Sequence, residues 1–202
     1  MITLYHSPQT RSSRMIWLLE ELGAPYRIQP VTIFRPMANT GVPDALNPHP
    51  DKQVPAIEHK GVVITESIAI AAYLTDAFPA AGLGPVVGDP QRGPYLEWLA
   101  WYAAAMEPAV FAQFGNELDQ PLKRRAYDAV IRRLETTLSQ TPYLLGAHFS
   151  AADIIVGSTL EWARKAFPES ATIDAYTARL RERPAQQRAV AKDGAAGVQR
   201  AA

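Results

Sequence analysis

Two short stretches carry groups whose types and spacing suit a small charged ligand. The first is Lys52-Gln53-Val54-Pro55-Ala56-Ile57, and the second is Glu66-Ser67. A residue before proline is biased towards extended backbone, so Val54 offers an N–H and a C=O that no neighbouring strand need use. Glu66 and Ser67 open a predicted helix. Its N-terminus adds N–H groups and a positive dipole end to a hydroxyl and a carboxylate. Together these groups can hold a small peptide bearing both an ammonium and carboxylates.

Composition narrows the chemistry. The chain has 202 residues, enough for one large domain or two small ones with an ample core. Its 20 basic and 20 acidic residues cancel, which argues against a polyanion-binding protein and against nucleic acid as partner. Without cysteine there is no disulfide, thiolate zinc site or cysteine nucleophile. His6, His49, His59 and His148 lack paired spacing, so no metal site is expected. The chain opens directly on an apolar strand pattern with no signal peptide, and no apolar run is long enough to span a bilayer. These features lead to the expectation of a soluble cytoplasmic protein that does not bind membranes.

The elements that must position the two stretches follow from periodicity. Residues 2–5 read as a strand and 10–22 as a helix, which Thr10 or Ser12 can cap and Gly23 stops. Residues 26–32 alternate as a second strand. The proline-rich segment 35–53 is irregular, with one short helix expected near Pro43 to Leu46. Residues 54–58 and 62–64 form a hairpin, and 66–78 a helix ended by Pro79. The βαβ-ββα order defines an α/β domain with a four-stranded mixed sheet.

A Pro- and Gly-rich linker at 80–90 separates residues 1–79 from an all-helical region, 91–202. There the expected helices are 91–113 with a bend at Pro108, 122–138, 150–167 and 171–181. Ala126, Val130, Leu134 and Leu138 are expected to face inward on the second. Residues 193–202 are expected to fray.

This order resembles the cytosolic glutathione transferase family. The likeness rests on the Val54-Pro55 dipeptide before the third strand, Glu66-Ser67 at the next helix, and the all-helical second half. Gly146 followed by Ser150-Ala151-Ala152-Asp153, a capping box, adds to it. The chain looks most like the bacterial, theta- and zeta-like branches. The resemblance implies a thioredoxin-like N-terminal domain, glutathione as co-substrate with no tightly bound cofactor, and a homodimer. It also implies that Pro55 is cis and that Val54 pairs with the cysteinyl part of glutathione like an added strand. Glu66 would then meet the γ-glutamyl ammonium and Ser67 its carboxylate, with Lys52 or Gln53 near the rest of the tripeptide.

The implied chemistry is thiolate attack on an electrophile. A free thiol ionises near ~8.5, so a hydroxyl and a helix N-terminus must stabilise the thiolate. In the theta- and zeta-like pattern the catalytic hydroxyl lies four residues before an arginine. Arg14 fits that arginine and points to Thr10, with Ser12 next and Ser7 third. The second substrate, a small hydrophobic electrophile, is expected between the domains near Trp101, Tyr102 and Met106. Glutathione-dependent isomerase, dehalogenase or peroxidase activity on the same scaffold is the alternative, as is a non-enzymatic binding or interaction protein.

Overall fold

The computed structural model of the chain describes residues 1–198. Its first strand, β1 (Ile2–His6), alternates as the pattern requires: Ile2, Leu4 and His6 are fully buried on one face. The helix α1 (Ser13–Leu22) follows and ends at Gly23, whose φ of 60° is the left-handed cap that glycine adopts without a Cβ penalty. The strand β2 (Tyr26–Pro30) then lies parallel to β1. After the long irregular segment come β3 (Ala56–His59) and β4 (Val62–Thr65), joined across Lys60-Gly61. The sheet order is β2-β1-β3-β4, with β3 antiparallel to both neighbours. The helix α2 (Ser67–Ala77) leaves β4 directly. No helix forms around Pro43 to Leu46, because Pro43 and Pro48 leave too little chain between them to close successive helical turns.

Residues 82–182 form a second compact unit, entirely helical. It begins with α3 (Arg92–Trp101), a five-residue π-turn (Tyr102–Met106) and α4 (Glu107–Phe114). The expected bend is real but is built one turn before Pro108. The Glu107 N–H reaches back to the Tyr102 carbonyl, and Pro108, which has no N–H to give, sits in the first turn of α4. Tyr95, Trp98, Leu99, Tyr102 and Met106 are buried along this segment, while Leu96 and Ala103 are exposed.

Three more helices complete this unit: α5 (Pro121–Gln140), α6 (Ala151–Trp162) and α7 (Ala171–Arg181). On α5 the buried residues are Tyr127, Val130 and Leu134, so Tyr127 takes the place expected for the exposed Ala126. Ser150 and Asp153 form the reciprocal capping box at the start of α6. Asp153 also accepts from the Leu144 N–H at 2.9 Å and the Tyr176 hydroxyl at 3.0 Å. Burial pushes its carboxyl up, and those bonds oppose the shift only in part. Gly157 lets α7 approach α6 closely, since a Cβ there would lie 2.1 Å from Leu180 Cδ1. Among the described residues no helix is long and apolar enough to cross a membrane.

The last helix, α8 (Pro184–Val198), departs from expectation. It counts with residues 1–81 and packs along α1. Ala185 and Ala189, four residues apart, are buried. Around them Arg183 bonds Glu21 at 2.6 and 2.8 Å, and Arg188 bonds Glu20 at 2.7 Å. Lys192 also bonds Glu20. Residues 193–198, expected to fray, continue the helix, and 199–202 lie outside the described residues.

Candidate functional site

One end of the sheet gathers both ligand-binding stretches. In the β1–β3 ladder Tyr5 faces Ala56, and in the β3–β4 ladder Ala56 faces Thr65. At this end of the ladders Ser7 follows β1, Val54-Pro55 precedes β3, and Glu66-Ser67 follows β4. The strands therefore deliver Ser7, Val54-Pro55 and Glu66-Ser67 to one edge.

Each group is held there by local structure. The Val54-Pro55 peptide is cis, as the resemblance implies. Val54 lies outside the strand and makes no hydrogen bond within the described residues. Gln53 before it is exposed, and its carbonyl accepts from Asn47 Nδ2 at 2.9 Å. Asn47, fully buried, organises the preceding loop. Its Oδ1 accepts from the His49 N–H at 3.0 Å, and its carbonyl accepts from Lys52 Nζ at 2.7 Å. Lys52 is thus tied into the loop. His49 is buried rather than solvated, and its Nδ1 accepts from the Asp51 N–H.

Glu66 is exposed and has φ 65° and ψ 122°, a conformation that non-glycine residues rarely adopt. Strain of this kind collects where a side chain must be aimed. Ser67 next to it is buried, and its hydroxyl accepts from Arg14 Nη2 at 2.8 Å. A hydroxyl that accepts from a guanidinium keeps its own proton to donate. Ser67 thus keeps a hydrogen to donate at the first residue of α2.

The turn between β1 and α1 carries the hydroxyls. Ser12 is fully buried and does not cap α1. Its Oγ lies 2.8 Å from His6 Nδ1 and 2.7 Å from Thr10 Oγ1, and accepts from the Ser7 N–H at 3.2 Å. Thr10 is half-buried, and its hydroxyl also reaches the Ser7 carbonyl at 2.6 Å. Ser7 is buried, and its hydroxyl accepts from Arg35 Nη2 at 3.1 Å. Of the three candidate hydroxyls, Thr10 has the accessible surface.

Asp193 of α8 closes the back of this turn. Its Oδ1 lies 3.2 Å from His6 Nε2, off the line of a straight hydrogen bond. It accepts from Ser13 Oγ at 2.6 Å and from the Gln9 N–H. Burial would raise the Asp193 carboxyl, but the adjacent His6 ring and the bonds from Ser13 and Gln9 outweigh it and hold it below the usual carboxylate range.

Of the aromatic group expected near a second substrate, Tyr102 and Met106 are enclosed in the helical unit. The Tyr102 hydroxyl is taken by Glu107 at 2.7 Å and Thr159 at 2.9 Å. Trp101 is half-exposed and packs edge-on against Trp98, with Arg133 over both rings.

Sequence reasoning missed His6, Asp193 and Asn47. The alternation of β1 marks His6 as inward-facing but carries no sign of a partner. Asp193 lies in a segment read as a tail, and Asn47 in a loop without periodicity.

This arrangement, a βαβ-ββα sheet domain followed by a helical one with its polar groups gathered at the Val54-Pro55 edge, is that of a thioredoxin-like fold joined to a helical domain. Residues 1–76 match the model of the glutathione S-transferase N-terminal domain, and residues 100–185 match that of the C-terminal domain. The chain belongs to the glutathione S-transferase family. It is 25% identical over 198 residues to glutathione S-transferase GstA of Escherichia coli O157:H7, covering 95% of this chain and 98% of that one. It is 29% identical over 139 residues to maleylacetoacetate isomerase of Rattus norvegicus, covering 65% and 63%. The solved structure of a sphingomonad glutathione S-transferase complexed with glutathione superposes with a TM-score of 0.79 at 26% identity, covering 95% of this chain and 98% of that one.

Proposed function

We propose that the protein is a glutathione transferase that binds glutathione at the Val54–Ser67 edge and activates its thiol for attack on a small hydrophobic electrophile. The observation that supports this reading is the sheet register, in which the ends of β1, β3 and β4 that lead to Ser7, Val54 and Ser67 lie at one edge. Val54 pairs with the peptide backbone of glutathione as one more extended segment. Ser67 donates to the γ-glutamyl carboxylate, the N–H groups of α2 add to it, and Glu66 accepts from the ammonium. Lys52 and Gln53 frame the rest of the tripeptide. Thr10 donates to the developing thiolate, with the α1 N-terminus adding positive potential. Ser12 and Ser7 support Thr10 from behind. Of the three residues Trp101, Tyr102 and Met106, the half-exposed Trp101 is the contact for the electrophile.

The chain acts as a homodimer, a reading supported by the exposed Phe34, Met37, Val42 and Leu46 in the segment after β2. Retention on immobilised glutathione, combined with conjugation of an aryl halide, tests the main reading. Thr10→Ala is expected to lower turnover about 10²-fold by removing one donor to the thiolate. If Ser7→Ala has that effect and Thr10→Ala does not, the assignment of the activating hydroxyl fails. Absence of glutathione binding rejects the whole reading.

The likeness to maleylacetoacetate isomerase favours a second reading, in which the thiolate adds reversibly to a conjugated double bond and lets it rotate. Tight glutathione binding without aryl-halide turnover, together with cis-to-trans isomerisation of maleylacetoacetate, would select it.

A further inference from the structure

The Thr10–Ser12–His6–Asp193 chain contains more than thiolate stabilisation requires. A single hydroxyl at a helix N-terminus suffices to donate to sulfur. Here that hydroxyl is joined through a fully buried serine to a fully buried imidazole, which is backed by a carboxylate from a helix more than 180 residues away in sequence. Resting on the glutathione reading above, we infer that His6 is the acceptor of the glutathione thiol proton, reached through Thr10 and Ser12 and held by Asp193.

Proton accounting supports this direction. Asp193 beside Nε2 favours the tautomer with its hydrogen there, which leaves the Nδ1 lone pair facing Ser12 at 2.8 Å. Ser12 can then donate to His6 and accept from Thr10 at 2.7 Å. Ser12 Oγ accepts from the Ser7 N–H at 3.2 Å and also reaches the Ser7 carbonyl at 3.2 Å, but His6 Nδ1 is the nearer acceptor for its proton. The Thr10 hydroxyl also reaches the Ser7 carbonyl at 2.6 Å, and a turn of its proton to Ser12 Oγ at 2.7 Å completes a chain from the half-buried Thr10 to His6. The charged groups placed around the turn are Asp193 on α8, Arg35, which bonds Ser7 Oγ and the Pro8 carbonyl, and the exposed Arg11. Arg14 turns to Ser67. The imidazole is thus backed by a carboxylate, while Arg35 bonds Ser7 Oγ and the Pro8 carbonyl rather than His6.

The step balances. The S–H bond of glutathione breaks and its proton passes to Thr10 Oγ1. The former Thr10 proton passes to Ser12 Oγ, and the former Ser12 proton to His6 Nδ1. The products are a thiolate facing the Thr10 hydroxyl, two intact hydroxyls and an imidazolium beside the Asp193 carboxylate. After conjugation the proton returns along the same chain to the leaving group or to solvent. Thr10 touches the substrate; His6, Ser12 and Asp193 are positioning residues acting through it.

The test counts protons. Glutathione is titrated into the full-length protein by calorimetry at about pH 7.5, in buffers of different ionisation enthalpy, while thiolate is followed by its ultraviolet absorbance. At that pH a free thiol is mostly protonated and imidazole mostly neutral. Wild type is expected to form thiolate with almost no net proton release. His6→Gln is expected either to release about one proton per thiolate formed or to form far less thiolate. Its kcat at neutral pH should fall about 10²-fold with glutathione KM nearly unchanged, the size of a lost acid–base group. Asp193→Asn should fall between the two. Ser12→Ala breaks the chain while leaving His6 and Asp193 in place, so it serves if His6→Gln does not fold. Release of about one proton per thiolate by wild type overturns the relay and leaves the glutathione reading standing. A loss of stability in the variants with an unchanged proton count and pH profile overturns it too. If glutathione does not bind, the relay falls with the reading it rests on.

Discussion

Arg14 Nη2 donates to Ser67 Oγ at 2.8 Å, and both residues are buried. The bond joins α1 to the first residue of α2, and so couples the hydroxyl-bearing turn to the place where an anionic ligand end would sit. Replacing Arg14 with methionine keeps the volume and deletes the donor. It is expected to weaken glutathione binding about 10- to 100-fold, in line with a charged hydrogen bond worth about 1.5–3 kcal/mol. Calorimetric titration of the variant checks this, and unchanged affinity would reject the role given to Ser67.

Glu66 separates stability from binding. Its φ of 65° carries strain that glycine would not feel. Glu66→Gly is expected to raise the unfolding free energy by about 1 kcal/mol while binding glutathione more weakly, because the carboxylate is lost. Denaturant unfolding and calorimetry on the same sample read the two effects independently. A variant that is both less stable and equally good at binding would contradict the assignment.

Acid should loosen α8. Glu20 is desolvated, which alone would raise its carboxyl. Bonds from Lys192, Tyr26 and Arg188 outweigh this and lower it to about 2. A carboxyl held below its unfolded value contributes stability above that value, and the contribution fades as pH falls towards the folded one. The helix should therefore be fully seated above about pH 4.5 and lose support between there and about pH 2. Lys192 and Arg188 are half-exposed, so the effect is discounted for solvent to about 1–2 kcal/mol. Glu20→Gln should flatten the acid limb of thermal stability and sensitise α8 to protease at neutral pH.

Gly157 tests the packing of the helical unit. An alanine there would bring its Cβ to 2.1 Å from Leu180 Cδ1, so α6 and α7 must separate or Leu180 must leave its rotamer. The expected cost is about 1–3 kcal/mol, with glutathione affinity unchanged. A denaturation midpoint equal to wild type would show that the contact yields freely.

Much of this was legible in the residues. The short strand at β1, the glycine stop at Gly23 and the Ser150–Asp153 box each depend on a few neighbouring positions, and each appears as expected. The π-turn was not legible, because Pro108 signals an interruption without saying where the surplus residue is absorbed. Helix α8 was hidden because alanines make its buried stripe. Small residues give little hydrophobic periodicity, yet they allow the close approach to α1 that its ion pairs then fix. The partners of Ser12 were out of reach for a similar reason: an inward histidine in a strand and an aspartate far downstream meet only once the tertiary fold exists.

Because α8 returns to α1 after the whole helical unit has been threaded through, the first unit is completed by the chain's two ends, with residues 82–182 as an insertion. During synthesis the sheet and α1 emerge first, with Glu20, Glu21 and the His6 turn lacking their partners. Loop-closure entropy grows with the logarithm of the intervening length, so prior folding of the helical unit shortens the effective loop and eases the docking of α8. Ribosome-bound chains stalled before Arg183 should hold a formed sheet with an exposed α1, and become protected there only once α8 has cleared the exit tunnel.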